Sequence, residues 1–198
     1  MILKTKFKWA AVGAPLGADD GAGIAIMSHM ILNNVQGYYV FTQGEERGGL
    51  GARFIANTNK ELLQQFDRAI AFDRCGNSSV ITHQGWDGRS ASDEFAIALS
   101  NSLNSFGMMY APDDTGIYTD TAEFVRHIPE CTNLSVGYNM EHSEFEVLDI
   151  RHFLAMCQAV VGLDWESLPT VRDYKNQYHT SQTFDSSLMD TNNMEWSD

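Results

Sequence analysis

Apolar positions along the chain fall into short blocks, some with helical spacing and some alternating. Residues 24–33 are largely apolar and follow the stretch Ala18-Asp-Asp-Gly-Ala-Gly23, which predicts a glycine-rich loop feeding a mostly buried helix. Residues 37–42 are aromatic and β-branched and read as a strand. A helix is expected over 48–56, a short buried strand over 69–73 that ends in a carboxylate, and another strand over 80–83. Phe95, Leu99 and Leu103 recur every four residues and predict a helix over 92–104. A short strand at 108–111, a helix at 121–127 and a strand at 133–138 follow. The clearest amphipathic helix spans about 148–161, where Phe153, Leu154, Cys157, Val160 and Val161 share one face. Strands alternating with helices predict an α/β fold, read as a three-layer sandwich with a mixed, mostly parallel sheet between helices.

Periodicity fades beyond residue 163. The remaining stretch, 164–198, carries seven acidic and two basic residues and reads as a polar, acidic tail beside a single domain over 1–163. No block approaches the roughly 18 apolar residues of a membrane span, and the basic start lacks the features of a signal peptide.

Composition narrows the partners. Acidic residues outnumber basic ones 26 to 13, for a formal charge of −13, which argues against nucleic acid as a main partner. Three widely spaced cysteines without a Cys-x-x-Cys pair fit free thiols in a reducing, cytoplasmic setting. An acidic surface explains solubility, and clustered carboxylates could equally hold a cation.

Four segments place acids or a histidine just after an expected strand or at a loop–helix junction. They are Gly17-Ala-Asp-Asp-Gly21, Phe41-Thr-Gln-Gly-Glu-Glu46, Phe72-Asp-Arg74 and Gly137-Tyr-Asn-Met-Glu-His142. Ligand sites in open α/β sheets gather at the carboxyl ends of strands, so these loops could meet in one cleft. Asp, Glu and His together suit zinc, whose sites mix imidazole nitrogen with carboxylate oxygen. Asp19-Asp20 alone is an ordinary turn or helix cap, and Glu45-Glu46 alone an ordinary solvated pair; only their order and spacing favour a metal.

In that order the segments resemble the co-catalytic zinc exopeptidases, the aminopeptidases and carboxypeptidases that use two metals. The resemblance implies that Asp19 bridges two ions and that the Asp19–Asp20 peptide is cis. It implies Glu45 as general base, Glu46 and His142 as ligands of one ion, and Asp73 as a ligand of the other. Zinc, as one or two ions or replaced by another divalent metal, is the implied cofactor, and peptide the implied substrate. The 68 residues between Asp73 and His142 leave no room for an inserted dimerisation domain, which favours an aminopeptidase-like domain.

One departure matters. The family places a first histidine ligand on a His-x-Asp strand upstream of the Asp-Asp loop, and none of the 18 residues before Asp19 is histidine. The fold is therefore expected to be N-terminally shortened, with an exposed sheet edge. Three readings stand open: a fragment or split protein whose partner chain supplies the segment, a single-metal enzyme, or a degenerate, non-catalytic homologue with a binding or structural role. An exposed edge also makes a homo-oligomer an expectation. His83, His127, His152 and His179 read as structural or surface residues, with His83 or His127 the less favoured replacements for the absent ligand.

Overall fold

A computed structural model of the chain describes residues 1–85 and 88–179. It is a mixed α/β structure with two four-stranded sheets. The first is antiparallel throughout, in the order β1 (Ile2–Lys4), β2 (Lys8–Ala11), β10 (Val147–Asp149), β9 (Tyr138–Asn139). The second runs β3 (Arg68–Arg74), β8 (Glu130–Ser135), β4 (Ser79–Ile81), β7 (Ala111–Asp113). Its β3–β8 and β4–β7 pairings are parallel and its β4–β8 pairing is antiparallel. A two-residue ladder, β5 (His83–Gln84) with β6 (Gly88–Arg89), lies between.

Strand β8 sits in the middle of its sheet and is buried at every position, although it reads Glu-Cys-Thr-Asn-Leu-Ser. Each buried polar group has a partner, as burial requires. Thr132 donates to the Ile81 carbonyl at 2.7 Å and Ser135 to the Cys75 carbonyl at 2.8 Å. Glu130 accepts from the Ser92 amide at 2.7 Å and hydroxyl at 2.8 Å. The expected strand at 133–138 therefore starts earlier and ends sooner, because its polar first half passes for surface in the sequence.

The helices fall into two packing groups. Helices α1 (Ala18–Leu32), α4 (Asp93–Asn104) and α5 (Ile150–Gly162) share one apolar cluster with Phe72 of β3 and Leu134 of β8. Ile26, Phe95, Leu99, Leu103, Met156 and Val160 are among its fully buried members. Helices α2 (Leu50–Thr58) and α3 (Lys60–Leu63) form a second cluster with Cys131 of β8, Phe124, Val125 and Ile128, against which Ala69 of β3 packs. Residues 69 and 72, like 131 and 134, differ in parity, so successive positions of these strands serve different clusters. The capping groups are where helices need them: Ser92 accepts from the Phe95 amide at 3.1 Å, and Asp149 from the amides of Arg151 at 2.9 Å and His152 at 3.2 Å.

Some expectations need correction. Residues 37–42 form no ladder among the described residues, and Tyr38 and Phe41 are 63% and 51% exposed. The strand expected at 108–111 lies at Ala111–Asp113, and the helix expected at 121–127 is a 3-10 turn over Asp120–Phe124. The β1–β2 hairpin was not foreseen; it is short, lysine-rich and largely exposed, so it carries no burial pattern to read. The start of the expected tail is anchored: buried Arg172 donates to the Val125 carbonyl at 2.6 Å and the Ile128 carbonyl at 2.9 Å. Helix α6 (Tyr174–His179) follows, and the rest of the expected tail, 180–198, lies outside the described residues. No helix among the described residues is long and apolar enough to cross a membrane.

Candidate metal centre

The four acidic segments meet in one cleft, lined among others by Asp19, Glu45, Glu46, Asp73, Tyr138, Glu141 and His142. Asp19 lies in the first turn of α1, where the backbone is not yet helical (φ −87°, ψ 105°), and the Asp19–Asp20 peptide is cis. Three residues after Asp20, Gly23 explains the glycine-rich spelling. A Cβ there would lie 2.1 Å from the Phe72 carbonyl and 2.4 Å from the Asp20 carboxylate. Its absence lets α1 rest on β3 while the Gly23 amide donates to Asp20 at 3.0 Å.

Glu45 and Glu46 open a 3-10 turn, Glu45–Arg47, launched by Gly44 in the left-handed region (φ 80°). Asp73 is the penultimate residue of β3, where the register with β8 shifts between Ala71 and Arg74. At that irregularity the Asn133 side chain takes the place of the ladder, accepting from the Asp73 amide at 2.9 Å and donating to its carbonyl at 2.8 Å. The carboxylate is aimed by Thr119, which donates to Oδ2 at 2.9 Å, and by Tyr138, whose hydroxyl donates to Oδ1 at 3.3 Å. His142 sits on the loop after β9 with a left-handed backbone (φ 60°), uncommon for a residue with a Cβ.

One histidine nitrogen closes the trio. His142 Nε2 lies 2.9 Å from Asp19 Oδ2 and 2.7 Å from Glu46 Oε1. One ligand atom from each of the three lies within 4.8 Å of the others, and this is the group among the described residues that could hold a metal ion. Zinc with bonds of about 2.0–2.1 Å in a tetrahedron keeps its donors about 3.3 Å apart, so the trio fits a divalent ion after a small separation. Asp73 joins the cleft but not that trio. Neither His83 nor His127 lines the cleft; His83 instead bonds the Thr82 hydroxyl at 2.9 Å.

The carboxylates crowd one another. Burial, and then the charge of Asp73, pushes Asp20 up to about 8. Burial and the same neighbour push Glu45 up to about 7. Asp73 is raised by burial, against the hydrogen bonds from Thr119 and Tyr138. Asp19 is raised by burial and by Glu46, with His142 opposing. The hydrogen bond and charge of Glu46 raise His142, which is exposed. Buried anions that cannot all ionise are what a cation site looks like before its cation is counted. A Glu poised near neutrality has the basicity a proton-transfer group needs.

Three contributors were not foreseen. Tyr138 and Asn133 act on Asp73, and Glu141 adds a further carboxylate to the cleft wall. Thr119, which donates to Asp73, also lines the cleft.

No protein-family model matches the chain, and no curated protein does. Solved structures share its fold. The aminopeptidase PepT of Bacillus cereus superposes with a TM-score of 0.66 at 14% identity, covering 81% of this chain and 74% of its own. The Pyrococcus horikoshii TET1 peptidase, described as assembling into a tetrahedron or a large octahedral shell, gives 0.59 at 19% identity, over 83% of this chain and 53% of its own. An aminopeptidase from Thermotoga maritima gives 0.55 at 16%, over 83% of this chain and 47% of its own. The chain thus spans about half the length of several structures it matches.

Proposed function

We propose that the chain is the core of a metal-dependent exopeptidase of aminopeptidase type, with a zinc-class divalent ion held by Asp19, Glu46 and His142. The observation that carries this is the convergence of those three donors beside Glu45 on a fold shared with aminopeptidases. When bound, the ion supplies Lewis acidity that polarises the scissile carbonyl and acidifies water beside it. Glu45, with its raised pKa, takes a proton from that water on a carboxylate oxygen and hands it to the leaving amine. Asp73, held by Thr119, Tyr138 and Asn133, would with Asp19 supply carboxylate oxygens to a second ion and so add to the Lewis acidity of the site. Surplus negative charge in the cleft favours a substrate with a protonated amino terminus.

The layered packing of helices about the β3–β8 sheet supports the sandwich reading. The unladdered segment 37–42, with Tyr38 and Phe41 exposed, supports an assembly that covers it, either with copies of this chain or with a partner chain carrying the further donor. Unpaired Cys75, Cys131 and Cys157 fit a reducing, cytoplasmic compartment.

A second reading is a peptidase-like protein without activity, and it is favoured by the absence of a second histidine among the described residues that line the cleft. Hydrolysis of aminoacyl nitroanilides by zinc-loaded protein separates the two. The enzyme reading expects turnover that Glu45→Gln abolishes while metal binding persists. No turnover in the wild type under metal excess leaves the binding protein.

A further inference from the structure

The Asp19 turn is held from outside by a carboxylate that no metal needs. Helix α1 begins after Gly17 with no side-chain cap of its own, and the first turn is distorted at Asp19 and Asp20. The amides that such an end leaves without partners are satisfied across the fold. Glu146 Oε2 accepts from the Gly17 amide at 2.8 Å, and Glu146 Oε1 from the Asp19 amide at 2.9 Å. Glu146 is 1% exposed, so both contacts are sheltered from water.

Its position in the chain gives this clamp its meaning. Glu146 lies four residues after His142 on the same loop, which is tightened by the Glu146 amide donating to the Ser143 carbonyl at 3.2 Å. One loop therefore presents His142 Nε2 to Asp19 Oδ2 and also grips the backbone that carries Asp19. We infer that Glu146 is a positioning residue that sets the separation of Asp19 from His142 and so tunes the affinity and geometry of the metal centre. The inference rests on the metal reading above and adds a residue that touches neither ion nor substrate. Supporting partners of this kind typically change metal affinity by about 10–100-fold.

Glu146→Gln keeps the shape but turns an NH2 group toward one of the two amides, so it retains one hydrogen bond at most. Glu146→Ala removes both. The experiment measures amide hydrogen exchange at Gly17 and Asp19 in the metal-free protein, then titrates cobalt(II) and records its visible absorption. Both variants should exchange at least about tenfold faster at Gly17 and Asp19 while Val160 in α5 stays protected. Cobalt binding should weaken by about 10–100-fold with a shifted absorption band, Gln less than Ala. Wild-type affinity and band in either folded variant overturn the inference, as does unchanged exchange. Should Glu146→Ala fail to fold, Glu146→Gln decides by the same readouts. A wild-type protein that takes up no cobalt overturns the metal reading instead. The exchange rates then judge the clamp alone, upheld if Gly17 and Asp19 lose protection and overturned if they keep it.

Discussion

On one side of the cleft, Asp19 and Glu46 share His142, a group that can carry positive charge and that both raise their claim on. Around Asp73 the carboxylates of Asp20, Asp73 and Asp120 instead meet hydroxyls, amides and one another's charge: Thr42 donates to Asp120, Thr119 and Tyr138 to Asp73, and the Gly23 amide to Asp20. Dipoles can orient carboxylates, but they do not neutralise them. Burial and neighbouring charge push Asp20 up to about 8, whereas Asp19 and Glu46 have an imidazole nitrogen beside them, a mixed donor set of the kind that suits a divalent ion. The two groups of carboxylates are therefore unequal as places for a cation. Metal should enter at the Asp19, Glu46, His142 side first.

Removing either party to that asymmetry should have the largest effect. His142→Ala deletes the one nitrogen donor and is expected to lower zinc affinity by about a hundredfold or more, checked by competition with a chromophoric chelator. Asp73→Asn, in contrast, should leave the affinity for the first equivalent within about tenfold. Equal losses in the two variants would erase the distinction between the halves.

Glu45→Gln should lower hydrolysis by about 10²–10⁴-fold with metal content unchanged, measured as kcat on an aminoacyl nitroanilide. A parallel loss of metal would make Glu45 a ligand instead.

Acidity sharpens the comparison further. A carboxylate whose folded pKa is raised binds more protons in the folded state, so its contribution to stability falls as pH rises from the unfolded value toward the folded one. For Asp20 and Glu45 that window runs from the ordinary carboxylate range to about 8 and about 7 respectively. Metal-free protein should therefore melt at a higher temperature near pH 5.5 than near pH 8. Zinc at about a hundred times its dissociation constant should raise the pH 8 melting point by about 5–10 °C. A metal-free melting point that climbs between those pH values contradicts the account.

The smallest effect belongs to Tyr138→Phe, which removes one long hydrogen bond to Asp73. A few-fold change confined to the second equivalent of metal is expected from calorimetric titration. Loss at the first equivalent would place Asp73 in the wrong half.

Much of the cleft was legible in the sequence because its lining is written in contiguous motifs at strand ends. Asp19 with its cis peptide, Glu45-Glu46, Asp73 and His142 all arrive in the cleft the four segments suggested. The α4 and α5 helices were legible from their buried faces. Glu146 was not, because in Glu141-His-Ser-Glu-Phe-Glu146 a buried carboxylate looks like one more solvated charge. Asn133 and Glu130 were hidden for the same reason, since only tertiary partners make a polar strand such as β8 a buried one. Residues 37–42 misled in the opposite sense: strand composition is visible in a sequence, whereas the neighbour that would complete a ladder is not.

The central claim is tested most directly by zinc-edge anomalous diffraction from crystals soaked with about one equivalent of zinc. The account predicts a single strong peak within bonding distance of Asp19 Oδ2, Glu46 Oε1 and His142 Nε2. No peak in the cleft, or a peak at Asp20 and Asp73 with the trio empty, would contradict it.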